Sequence, residues 1–180
     1  DPGAEPRRPW TASYAVARGD DVWLGSTPDA AALAAAGEQG IRVIVDLRGH
    51  EEKSGAVRAE ASRLGLTLRE VPFVRGEPIT VDAVRAVTEI VADAETGSVL
   101  VFCASGQRAA AWWAARMIEG DGVGLERALE RARRAGVSHA PTIAALEAFA
   151  REVEARKEVD RLAEGLSGTL MQRLGSAIEE

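Results

Sequence analysis

Cysteine occurs once in the 180 residues, at Cys103, and histidine twice, at His50 and His139. A single cysteine excludes an internal disulfide framework and an all-cysteine zinc site, and two histidines argue against a histidine-rich metal centre. No metal and no cofactor are therefore expected. No apolar run approaches the roughly 20 residues that a membrane-spanning helix needs. Basic residues are outnumbered 22 to 28, giving a formal net charge of -6. Binding to nucleic acid or to an anionic membrane surface requires cations to neutralise phosphates, so neither partner is expected. Internal repeats and low-complexity tracts are also missing, although alanine is heavily used.

What is present suits a globular domain. Hydrophobic residues make up 46% and charged residues 28%, and the length supports one core. Residues 1–12 are rich in Pro, Gly and charge through Pro9 and read as a flexible extension. Such a start fits the mature end of an exported bacterial chain, the alternative being a cytoplasmic protein. The α/β domain is expected over residues 13–155 and a helical tail over 156–180.

Short β-type runs at Tyr14–Ala17 and Val22–Gly25 flank Gly19-Asp20-Asp21, a hairpin signal. Ser26-Thr27-Pro28-Asp29 announces a helix over Ala30–Ala36, with a hydroxyl cap, a proline in the first turn and an acid at the positive end. Ile41–Val45 lacks polar alternation, as a strand covered on both faces does. A helix over about Ala56–Leu64 and a strand over Thr67–Val74 follow. Thr80 caps a helix with Val81, Val84, Val87, Ile90 and Val91 on one face. Val99–Phe102 is a short apolar strand, and Ala109–Glu119 is a helix apolar on nearly every side through Trp112 and Trp113, hence central. Helices over about Leu125–Ala135 and from Thr142 onward complete the alternation. This order predicts a mostly parallel sheet of four to five strands with helices on both faces. In the tail, Gly165 and Gly168 interrupt the pattern. Leu166, Leu170, Leu174 and Ile178 then form a stripe on a last short helix, which either packs back on the domain or makes a homodimer contact.

One segment carries chemistry. Cys103-Ala104-Ser105-Gly106-Gln107-Arg108 lies between a buried strand and a buried helix. A chain turning from a parallel strand into a helix leaves N–H groups without helical partners, and these form an anion site. Gly106 lets the loop curl so that successive N–H groups point inward. Arg108 offers a planar, permanently charged fork to two oxygens at once. Cys103 at the floor of such a cup would sit in a field that favours a nucleophilic thiolate. A cysteine that merely ends a core strand is the plain alternative.

The segment VLVFCASGQRAAAWWAAR, Val99 to Arg116, resembles the active loop of cysteine-dependent phosphatases of the tyrosine and dual-specificity type. The bacterial beta-lactamase-hydrolase-like branch is the nearest in pattern. LGSTPDAAALAAAGEQGIRVIVDLRGHEE, Leu24 to Glu52, resembles that branch's opening, Val71-Pro72 its next strand end, and Ala128–Gly136 the helix after the nucleophile helix. The likeness covers about Tyr14 to Ala150. It implies a dual-specificity-phosphatase-like fold and hydrolysis of a phosphorylated protein or small molecule through a cysteinyl-phosphate, with no metal. Cys103 would be the nucleophile and Arg108 the phosphate clamp. Ala104, Ser105, Gly106 and Gln107 would supply the N–H cup. The family's general acid sits on a loop after the Val-Pro strand end, where this chain offers Glu77, with Asp82 behind it; a solvated loop carboxylate is the other reading of Glu77.

Three departures keep other functions open. Four residues separate Cys103 from Arg108 instead of five, the spacing of many rhodanese-like sulfurtransferases, which would use a Cys103 persulfide. Phe102 and Ala109 replace the usual histidine and hydroxyl. A non-catalytic module that binds phosphorylated ligands is the third reading. Asp46 reads as a structural bond to loop backbone, and His50 and His139 as surface or loop histidines. Arg131, Arg133 and Arg134 share a solvated face with Glu126 and Glu130.

Overall fold

The computed structural model describes the backbone of residues 5–178 and the side chains of residues 7–174. Strands β1 (Glu5–Pro9), β2 (Ala15–Gly19), β3 (Val22–Gly25), β4 (Val43–Asp46), β5 (Thr67–Glu70) and β6 (Val99–Phe102) form one sheet in the order β1-β2-β3-β6-β4-β5. β1, β2 and β3 pair antiparallel, whereas β3·β6, β6·β4 and β4·β5 are parallel. Six strands stand where four to five were expected. The addition is β1, which lies within the stretch read as a flexible extension and occupies a sheet edge. Pro9 is tolerated there because an edge strand need not donate every N–H to a ladder.

The helices are α1 (Ala30–Glu38), α2 (Ala56–Arg63), α3 (Val81–Asp93), α4 (Gln107–Glu119), α5 (Leu125–Arg134) and α6 (Ala140–Ile178), with one 3₁₀ turn at His50–Glu52. α1 and α2 cover one sheet face through Leu33, Ala36, Val57 and Ala61. α3, α4, α5 and α6 cover the other through Val84, Trp112, Leu129 and Phe149. α4 lies at the centre of that layer, with Trp112 and Trp113 sealed from solvent. The Trp112 indole N–H donates to the Val84 carbonyl at 3.2 Å, so the ring packs without an orphaned donor.

Local expectations shift in three places. The α1 cap is Asp29, whose Oδ1 accepts the Ala32 N–H at 2.8 Å; the Thr27 hydroxyl instead donates to the Cys103 carbonyl at 3.2 Å. β5 ends at Glu70, so Val71–Val74 belongs to a loop. Gly165 and Gly168 do not break α6, which runs unbroken from Ala140. Each interior glycine costs a helix about 1 kcal/mol without removing a hydrogen bond. Leu166, Leu170 and Leu174 do not pack back on the domain but stand exposed, while the Ile178 side chain lies outside the described residues.

The sheet determines where the chemistry falls. Asp46, at the end of β4, pairs in register with Phe102, at the end of β6, and with Glu70, at the end of β5. The loops that follow all three strands therefore leave the sheet along one edge, the carboxyl end where α/β sheets bind ligands.

Candidate active site

The loop from Cys103 to Gly106 is held from behind. The Cys103 N–H donates to the Gly25 carbonyl at 3.3 Å, alongside the Thr27 hydroxyl bond to the Cys103 carbonyl. The Tyr14 hydroxyl donates to the Ser26 carbonyl at 2.6 Å, and burial pushes that phenol well above its ordinary pKa, so it stays a donor. Gly106 takes φ +86°, the left-handed conformation that side chains resist, and α4 begins at the next residue. With this turn the Gly106 N–H points back at Cys103 Sγ, 3.1 Å away. The thiol therefore faces the loop, but it has no solvent-exposed surface. The cup expected from the sequence put Cys103 at its floor, and the thiol is buried there with one loop N–H directed at it.

Arg108 is oriented by its donors. Nη1 and Nη2 donate to Glu52 Oε2 and Oε1 at 2.8 and 2.6 Å, and Nη1 also donates to the Phe73 carbonyl at 2.8 Å. These bonds use three of the five N–H groups of a guanidinium. The remaining Nε–H and one Nη2–H lie on the same edge, a fork of the kind that receives two oxygens of a phosphate. Glu52 above all, and then Cys103, strengthen the hold of Arg108 on its proton, while burial opposes it.

Glu52 itself is largely covered, with 19% of its side chain exposed. Its Oε2 also accepts the Gly49 N–H at 2.8 Å, and its Oε1 faces Arg75 Nη2 at 3.2 Å. The Arg108 hydrogen bond, outweighing burial and helped by Gly49 and Arg75, lowers its pKa to about 2. The sequence reading did not single out Glu52 as a site residue. The available signal was positional, an acid in the loop after the strand next to β6.

A cleft of about 790 Å³ opens beside the cup. One wall is the loop Phe73–Ile79, which includes Glu77; the second is Ser105, Gln107 and Arg108; the third runs from Ser138 into the first turn of α6. Ser105, Gln107, Arg108 and Glu77 are thus brought to one cavity. Cys103 is buried and does not line it, and neither do Ala104, Gly106 and Asp82. His139 lines the cleft rather than an unrelated surface, whereas His50 stands exposed on the 3₁₀ turn. Asp46 is buried and structural: Oδ1 accepts the Arg48 N–H and Nε–H, and Oδ2 accepts Nη2 at 2.9 Å. Among the described residues no cluster of His, Cys, Asp and Glu could hold a metal ion, and no helix is long and apolar enough to cross a membrane.

Comparison with known proteins gives the frame for this geometry. TpbA from Pseudomonas aeruginosa superimposes with a TM-score of 0.63 at 16% identity, covering 83% of this chain and 92% of that one. A structure of a TpbA variant contains phosphotyrosine, with a TM-score of 0.63 at 16% identity over 85% of this chain and 92% of that one. The core catalytic domain of the PP-IP phosphatase SIW14 from Saccharomyces cerevisiae, bound to citrate, gives 0.62 at 17% identity over 84% and 92%. At these identities the likeness shows a shared fold. No curated protein matches the sequence. Residues 20–120, more than half the chain, match the sequence profile of the phosphatase-like domain of beta-lactamase hydrolase-like proteins. With its sheet, its cysteine loop and this match taken together, the chain belongs to that family, within the cysteine-dependent phosphatases.

Proposed function

We propose that the protein hydrolyses phosphate monoesters through a cysteinyl-phosphate on Cys103. The observation that carries this reading is the convergence in one loop: the Gly106 N–H points at Cys103 Sγ, 3.1 Å away, and Arg108, held by Glu52 and the Phe73 carbonyl, keeps its Nε–H and one Nη2–H for an anion. In the first step the Cys103 thiolate attacks phosphorus and the P–O ester bond breaks. Arg108 and the loop N–H groups of Ala104, Ser105, Gly106 and Gln107 hold the equatorial oxygens, where charge is spread in the transition state. Glu77 gives its proton to the leaving oxygen. In the second step water attacks phosphorus, Glu77 takes a proton from it, and the P–S bond breaks to release phosphate and the thiolate.

The cleft favours an ester with a flat, largely apolar leaving group. Phe73, Pro78, Ile79 and Pro141 supply apolar wall, while Arg75, Glu77 and His139 supply charge or polarity. Phosphotyrosine, the ligand in the TpbA complex, has that chemistry, and we take an aryl phosphate as the substrate class.

The test is hydrolysis of p-nitrophenyl phosphate by the whole chain. Turnover should vanish in Cys103→Ser and in Arg108→Ala, and rapid acid quenching should trap a phosphoryl group on Cys103. Sulfur transfer is measured in parallel with thiosulfate and cyanide. Turnover only there would replace this reading with the persulfide one, and Arg108-dependent vanadate binding without turnover would replace it with a binding module.

A further inference from the structure

α6 outruns the domain it belongs to. Val153 is its last buried residue, and from Glu154 to Leu174 every residue is exposed. The stretch from Glu154 to Ile178 projects about 37 Å. Helices in proteins are held mainly by packing one face against something, and Gly165 and Gly168 weaken this one further. Its apolar face lies open: Val159, Leu162, Leu166, Leu170 and Leu174 form one stripe, 53% to 74% exposed. The stripe reads nearly the same in both directions. Leu162 and Leu170 lie four residues either side of Leu166, and Val159 and Leu174 seven and eight residues from it. A two-fold interface needs this self-complementarity, because each copy presents one patch to an identical one.

We propose that the protein forms a two-fold dimer through α6, the two helices antiparallel and crossing at Leu166. Charge sets the direction. Antiparallel about Leu166, two copies bring Arg173 of each against Glu158 of the other, and Leu162 against Leu170. In parallel they oppose Glu158 to Glu158 and Arg173 to Arg173, like charge to like. The antiparallel register also lays Leu174 of each copy level with Glu158 and Val159 of the other. There a groove of about 540 Å³ opens between α6 and the domain, and Val81 and Val153 give it apolar surface. A lipid surface suits the stripe less well. Four acidic residues balance four basic ones between Glu154 and Leu174, so the helix carries no net positive charge to hold anionic lipid.

Sedimentation of the whole chain across a concentration series is the test. The unaltered chain should be dimeric at micromolar concentration. Leu166→Glu sets two like charges against each other at the crossing and should weaken association by about 100-fold or more. Glu158→Arg and Arg173→Glu should each weaken it about threefold to tenfold, and the two together should restore it. Restoration cannot come from within one helix, because the double variant does not rebuild the pair that Glu158 makes with Arg161. A chain that stays monomeric to about 100 μM overturns the proposal, as does a dimer that Leu166→Glu leaves intact. Swaps without effect, singly and together, overturn the antiparallel register, since a parallel pair keeps like facing like throughout. A monomer that co-sediments with phosphatidylcholine vesicles puts the stripe on a lipid surface and overturns the dimer as well.

Discussion

Gln107 Oε1 accepts the N–H of Ser138 at 3.0 Å, 31 residues along the chain, and that of His139 at 3.1 Å. The same amide donates through Nε2 to the Gly136 carbonyl at 2.8 Å. One side chain of the cysteine loop thus satisfies both the donors and the acceptor of the turn before α6, and that turn is a wall of the cleft. Cup and wall are one rigid unit through Gln107.

Replacing Gln107 with Leu keeps the volume and removes all three bonds. The Gly136 carbonyl is part-buried and the Ser138 and His139 N–H groups are exposed, so losing these bonds should destabilise the fold by about 0.5–1.5 kcal/mol. The melting temperature should fall, amide exchange at Ser138 and His139 should quicken, and kcat/KM for aryl phosphates should drop. Unchanged exchange at those two amides would show that the turn holds itself.

Gly106→Ala addresses the curl of the loop. An ideal Cβ there would sit 3.5 Å from the Gly25 carbonyl group, so space permits it, but φ +86° does not suit a side chain. The strain is of order 1–2 kcal/mol. The loop relieves it by turning the Gly106 N–H away from Sγ. Vanadate affinity and turnover should therefore fall well beyond what the small loss in melting temperature accounts for. A variant with normal turnover would show that this N–H does not matter.

Stability against pH reports the Glu52–Arg108 pair. The Glu52 pKa is depressed, from 4.5 to about 2, so its contribution is fully present above about 4.5 and is lost as pH falls through about 2. The stability difference between the unaltered chain and Glu52→Gln should be constant above pH 5 and shrink from there downward. Denaturant titrations at several pH values measure it; a difference independent of pH to 2 contradicts the pairing.

Glu77 is tested through the leaving group. An alkyl phosphate leaves as a strongly basic oxygen that needs a proton, whereas p-nitrophenolate leaves unaided. Glu77→Gln should lower kcat for an alkyl phosphate by about 10²–10⁴-fold and for the nitrophenyl ester far less. Equal, small effects on both esters would make Glu77 a solvated loop carboxylate.

Much of this was written locally. The wholly apolar Val99–Phe102, the α4 run around Trp112 and Trp113, and the glycine and arginine after Cys103 are short-range patterns whose meaning comes from hydrogen-bond geometry over a few residues. They announce a buried strand, a buried helix and an anion loop between them. The structural place of Asp46 was legible for the same reason, since its partner Arg48 is two residues away.

Tertiary structure decided what depends on distant pairing. Glu5–Pro9 is a strand only because β2 presents an edge to it, and nothing in that polar, proline-ended run signals one. Glu52 meets Arg108 across 56 residues because β4 and β6 are neighbours in register and release their loops on the same side. Gln107 finds the turn before α6 only once α4 and α6 have packed together. Chain topology brings such groups together, and a linear pattern with a reach of three or four residues does not encode it.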